Sequence, residues 1–60
     1  MNIIDQIIAF ENGELDNDQI IALFSKLIKN GMAWTLQGMY GRMAVSLIND
    51  GYLDKNGKIL

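Results

Sequence analysis

The sequence contains no cysteine, no proline and no histidine. Without cysteine there is no disulfide staple and no thiolate metal site. Without histidine as well, a metal site would rest on carboxylates alone, a donor set suited to Mg²⁺, Ca²⁺ or Mn²⁺ and not to zinc. The commonest general base and the usual partner of a catalytic serine are also missing. Ser25 and Ser46 therefore have no base, and no pair of carboxylates stands at a spacing suited to acid–base work. The sequence points away from an enzyme, and no cofactor is expected.

Charge is sparse too. Seven acids against five cations leave a net charge of −2. That is too little for a nucleic-acid mimic and of the wrong sign for a strong phosphate binder. No apolar run approaches the length of a membrane span or a signal core. The chain is expected in the cytoplasm, with no membrane as partner.

What is present is short and apolar. Sixty residues make one domain at most, and half of them are apolar. A chain this small buries a smaller share of its surface on folding than a larger domain does. With no staple, it is expected to gain its margin of stability by pairing with itself as a homodimer.

The periodicity is helical throughout. Residues 2–11 read as a first helix, with Asn2 as cap and Asp5 in the first turn, where the helix dipole favours an acid. Ile3, Ile4, Ile7, Ile8 and Phe10 form one stripe at helical spacing. Four β-branched isoleucines lower intrinsic helicity, so packing must hold this helix. Asn12-Gly13 stops it. Asp16 opens the second helix, with Gln19 three residues on as a capping box. Ile20, Phe24, Leu27 and Ile28 form its apolar face, and Asn30-Gly31 ends it.

Residues 32–37 read as a short helical segment. Gly38 and Gly41 weaken a helix by about 1 kcal/mol each relative to alanine. A break is therefore expected near Gly38, with a third principal helix over residues 39–49. Its apolar band of Met39, Tyr40, Met43, Ala44, Leu47 and Ile48, widened by Val45, covers nearly half the circumference. Leu47 and Phe24 sit at the centres of their stripes. The expected fold is all-α, a small bundle of three principal helices over residues 1–53. Residues 54–60 form a turn and tail or a short hairpin, since Asp54-Lys55-Asn56-Gly57-Lys58 is turn chemistry.

Three short patterns match known motifs only in part. Asp54, Asn56 and Gly57 match part of a calcium loop, but its first ligand position would be Tyr52 and its closing glutamate would fall beyond Leu60. A plain turn is the better reading. Gly38-Met-Tyr-Gly41 has the spacing of a backbone-clamping G-x-x-G loop, without the strands or basic charge that such a module needs. Close helix packing at Gly41 accounts for it better. The second helix and its sequel could form a helix-turn-helix, but Lys26, Lys29, Arg42, Lys55 and Lys58 give a poor electrostatic footprint.

The densest segment is Gly31 to Arg42. It holds the only Trp, one of two Tyr, the only Arg and three of the six Gly. Trp, Tyr and Arg are the types most enriched at binding hot spots. Arg42, Gln37, Tyr40 and Trp34 are thus the candidate partner-binding residues. Plainer roles compete. Trp34 and Tyr40 suit a core plug or dimer interface. Arg42 suits a cap on the second helix or a pair with Glu11, Glu14 or Asp50. Gln37 and Arg42 carry the stronger functional claim.

At this segment the chain resembles an uncharacterised family of very short proteins of tailed bacteriophages. The family pattern opens I-I-x-x-I-I-x-[FY]-E-x-G-E-L and continues L-F-x-x-L-I, G-[LM]-A-W-x-L-Q-G-x-Y-G-R and L-I-x-x-G. This chain supplies Ile3-Ile4, Ile7-Ile8, Phe10-Glu11, Gly13-Glu14-Leu15, Leu23-Phe24, Leu27-Ile28, Gly31 through Arg42, Leu47-Ile48 and Gly51. The resemblance implies a small phage accessory protein acting in the bacterial host cytoplasm. Such proteins bind a host or phage protein, and some inhibit a host factor or defence system. The alternatives are a small DNA-binding regulator and a structural or assembly component of the phage particle.

Overall fold

Asn2 caps the first helix through its side chain, whose Oδ1 accepts from the Asp5 amide at 2.9 Å. The structure, a computed structural model, describes residues 2–60. Four helices follow in order: α1 (Ile3–Glu11), α2 (Asn17–Lys29), α3 (Met32–Thr35) and α4 (Gly38–Asn49). The fold is all-α, with three principal helices and a one-turn helix between the second and third. Of the expected 1–53 span, Met1 lies outside the described residues.

The ends of α2 follow local chemistry. Asp16 and Gln19 form the reciprocal capping box, at 2.8 and 3.0 Å. Asp18 lies in the first turn, and Lys26 and Lys29 in the last, so both ends offset the helix dipole. At the far end Gly31 takes φ +81°, a left-handed stop. The Asn30 side chain accepts from the Met32 amide at 2.9 Å and starts α3 at once.

The chain breaks at Leu36-Gln37, both extended, so Gly38 is the first residue of α4 and not an interruption within it. The weak helix former therefore sits where the amide needs no intrahelical partner.

The core is Leu23, Phe24, Leu27 and Ile28 of α2 against Ala33 of α3 and Tyr40, Ala44 and Leu47 of α4. Leu53, beyond the helices, completes it. Phe24 stands edge-on to Phe10 at 5.4 Å and stacks on Tyr40 at 6.0 Å. The two expected stripe centres, Phe24 and Leu47, are both buried.

Two stripes are narrower than their spacing suggested. On α1, Ile3, Ile7 and Phe10 pack against the core, while Ile4 and Ile8 are 64% and 52% exposed. No residue of α1 is fully buried. On α4, Met39 and Val45 lie outside the core face. A helix packed on one side buries only part of its circumference, and among the helices α1 packs chiefly on α2, which leaves Ile4 and Ile8 uncovered.

Residues 54–60 are tied to the bundle. A single antiparallel bridge pairs Leu53 with Ile59. The turn between them rests on α2, where the buried Ser25 hydroxyl donates to the Gly57 carbonyl. Within the turn, Asp54 Oδ1 accepts from the Asn56 and Lys58 amides at 2.8 and 2.9 Å. Foremost the Lys58 amide holds the Asp54 carboxyl below its usual range. The carboxylate is thus the form that organises the turn. Its contribution is present above the ordinary carboxylate pKa and fades as pH falls through the lowered one.

The close approach expected at Gly41 is looser than its spacing implied. A Cβ there would meet the Ala33 carbonyl at 3.6 Å and Trp34 Cε3 at 3.9 Å, both ordinary contacts. Alanine fits without displacement and favours the helix. Gly41→Ala is therefore expected to raise stability by up to about 1 kcal/mol, read as a higher melting temperature. A lower one would mean that α3 sits tighter on α4 than these distances allow.

Candidate functional site

The segment from Gly31 to Arg42 folds as a corner: the left-handed Gly31, one turn of α3, an extended Leu36-Gln37 step and the first turn of α4. The corner divides the four candidate residues into one that faces inward and three that face outward.

Tyr40 faces inward. Its side chain is 2% exposed and lies between Phe10 and Phe24. Its hydroxyl donates to Glu11 Oε2 at 2.8 Å, joining α4 to the end of α1. Tyr40 is therefore a core residue and is not available as a partner contact. Burial, then the hydrogen bond to Glu11 and its charge, push the phenol from 10 up to about 12. The folded state favours the neutral phenol, whereas the unfolded chain ionises near its ordinary value. That stabilisation is complete below about pH 10 and is lost as pH rises through about 12. Chemical denaturation across this window should show stability falling with pH, and Tyr40→Phe should flatten the slope. An equally steep slope in Tyr40→Phe would assign the effect to another group.

Trp34, Gln37 and Arg42 face outward. Trp34 is 51% exposed, so it is not the plug of the core. Phe24 and Tyr40 fill that place. The indole lies beside Gly41, whose missing side chain leaves a flat floor next to it. Val45, one turn after Gly41 on α4, is also exposed. Gln37 precedes α4 as its cap residue, yet its side chain makes no capping hydrogen bond. The exposed Arg42 folds back along its own helix, with Nη1 3.2 Å from where a Cβ of Gly38 would stand. Of the acids expected to pair with it, Glu11 is engaged by Tyr40. The corner thus presents an aromatic face, a primary amide and a guanidinium on one short stretch of chain. These groups can bind by stacking and hydrogen bonding, and they offer no nucleophile or base.

The other cations are divided between α2 and the C-terminal turn. Lys26 reaches Gln6 of α1 at 3.4 Å. Lys29 lies beside Gly57, so turn docking brings it near the Lys55–Lys58 segment. No helix carries more than two of the five cations. Among the described residues no cluster of three or more carboxylates could hold a metal ion, and no helix is long and apolar enough to cross a membrane.

One surface had no signal in the sequence. A depression of about 350 Å³ opens between the start of α2 and the second half of α4, lined by Ile20, Ile21, Met43, Leu47 and Tyr52. It runs into a second, of about 390 Å³, edged by Ile59 and Leu60. Its walls come from segments more than 20 residues apart along the chain, so periodicity could not join them.

Over residues 1–60 the chain matches the family described as Domain of unknown function (DUF7417), and it belongs to that family. No match is found among curated proteins or among solved structures.

Proposed function

We propose that this member of the DUF7417 family acts by binding another protein through the corner formed by Trp34, Gln37 and Arg42, and catalyses no reaction. The observation that carries this reading is Trp34. The chain's only tryptophan is half exposed on a shelf made by a glycine, in a protein that has filled its core with other aromatics. Trp and Arg are among the residue types most enriched at the energetic centres of interfaces. The Arg fork suits a carboxylate on the partner. Consistent with the resemblance in its sequence, the protein serves as a small phage accessory factor whose partner is a host or phage protein.

The same proposal includes a homodimer. Six of the nine residues of α1 are apolar, yet none is fully buried, and Ile4 and Ile8 stand one turn apart on its open side. An isolated helix shorter than about 12 residues is marginal even with better helix formers. A second copy covering this face would supply the missing packing. Light scattering should give a dimer at micromolar concentration that Ile8→Glu dissociates. A folded wild-type monomer at ~1 μM would remove the dimer from the proposal.

The corner is tested with paired variants. Trp34→Ala and Arg42→Ala should each keep the melting temperature within a few degrees of wild type, because neither side chain is in the core. Both should weaken capture of the partner from infected-host lysate by about tenfold or more. Should the variants lose stability while binding per folded molecule stays constant, these residues are structural and the assignment fails.

A further inference from the structure

The open trough between α2 and α4 shares no residue with the Trp34–Arg42 corner. Its floor is Ile20, Ile21, Met43 and Leu47, and Tyr52, Ile59 and Leu60 form an exposed apolar edge. The two depressions that compose it have Asp18, Ile21 and Tyr52 in common.

Its net charge is negative, although Asp18 lies in the first turn of α2, where the helix dipole offsets part of its charge. Asp18 is the only charged side chain lining either depression, and no cation lines them. Leu47 belongs to the last turn of α4, where the helix dipole places partial negative charge. No basic residue in that turn offsets it, and the cap residue is Asp50. The full charge of the carboxylate exceeds the partial positive charge of the α2 N-terminus, so the rim stays negative at Asp18 and at the end of α4.

We propose that this trough is a second binding site, which takes an amphipathic helical segment of another protein with an apolar face and a lysine or arginine beside Asp18. The apolar face would seat side chains at i, i+3 or i+4 and i+7 over Ile20, Ile21, Met43 and Leu47, the usual way a helix lies in a groove between helices. The cation would meet Asp18 at the rim. A charge there sets partner choice and association rate more than affinity. A second copy presenting α1 fits less well, because the only charged residues of that helix are Asp5 and Glu11, both acids.

The test uses a designed peptide of about 15 residues, with leucines on one helical face and lysines on the other, and a counterpart with glutamate for lysine. Each is titrated into the isotope-labelled full chain. The leucine–lysine peptide should shift the amides of Ile20, Ile21, Met43, Leu47 and Tyr52, and bind at least about tenfold more tightly than the glutamate form. Asp18→Asn should weaken its binding about threefold or more. Asp5→Asn removes an equivalent first-turn acid from α1 and should leave binding within about twofold. Arg42→Ala should change nothing in this titration, so failure at the corner and failure at the trough read out separately. Equal binding of the two peptides, equal losses from the two Asn variants, or shifts confined to the Trp34–Arg42 corner would overturn the proposal. So would intermolecular contacts in a mixed-label sample showing the trough filled by a second copy.

Discussion

Gly57→Ala is expected to release the C-terminal turn from α2 and to lower stability by about 2–4 kcal/mol. Two costs combine at this position. The residue has φ +87°, where a side chain is strained whatever the space around it. A Cβ would also stand 2.7 Å from the Ser25 carbonyl oxygen. That oxygen belongs to the backbone of α2 and cannot swing aside. Lys29 Cγ, at 3.0 Å, could move, but moving it does not relieve the carbonyl. The turn must therefore lift, breaking the bond between the Ser25 hydroxyl and Gly57 and loosening the cover over Leu53. Gly51 is the natural control. It too has positive φ, +85°, but nothing lies within 4 Å of its Cβ position. Gly51→Ala should show the conformational cost alone, about 1 kcal/mol. Urea denaturation of the two variants separates strain from contact. Equal losses would mean that the seat on α2 contributes nothing.

Phe24→Ala is expected to cost about 3–5 kcal/mol and to leave the chain largely unfolded. A domain of this length has a total stability of only about 3–9 kcal/mol. Phe24 is wholly buried and is the ring against which both Phe10 and Tyr40 pack. Its removal leaves a cavity where α1, α2 and α4 meet, and three separate helices cannot all collapse into it. The Glu11–Tyr40 hydrogen bond depends on the same rings for its alignment. Circular dichroism at ambient temperature should show most of the helical signal lost. A cooperative melt near that of wild type would mean that the aromatic junction is not the centre of the core.

What the sequence disclosed, it disclosed through short-range chemistry. The Asn2 cap, the Asp16–Gln19 box and the Asn30-Gly31 stop each involve residues a few positions apart, and all three stand as read. Phe24 and Leu47 were legible because each lies mid-stripe. Trp34 and Tyr40 were not separable by the same means. Both are aromatic and close in sequence, and only the docking of the single turn of α3 turns one outward and the other inward. Periodicity also overcounted the buried isoleucines of α1, because it cannot say how many neighbours a helix has. The spacing points to Gly41, within a helix, as the close approach, whereas the tightest one is at Gly57, within the turn. Its contact, Ser25, lies 32 residues away along the chain, and no local pattern encodes such a pairing.

The shallow seating of α1 means that the native protein is not uniformly rigid. The helix meets the bundle through Ile3, Ile7 and Phe10 on one side, a long exposed hydrogen bond from Lys26 to Gln6, and the Glu11–Tyr40 bond at one end. It can therefore detach while α2, α3 and α4 stay assembled. Its amide hydrogens should exchange with solvent through this local opening, at a lower free energy than those of α2, which wait for global unfolding. Anything that covers Ile4 and Ile8 closes that opening and slows exchange along α1 alone. Under the dimer proposed above, protection of this one helix should rise with protein concentration, and a concentration-independent exchange rate would count against pairing through α1.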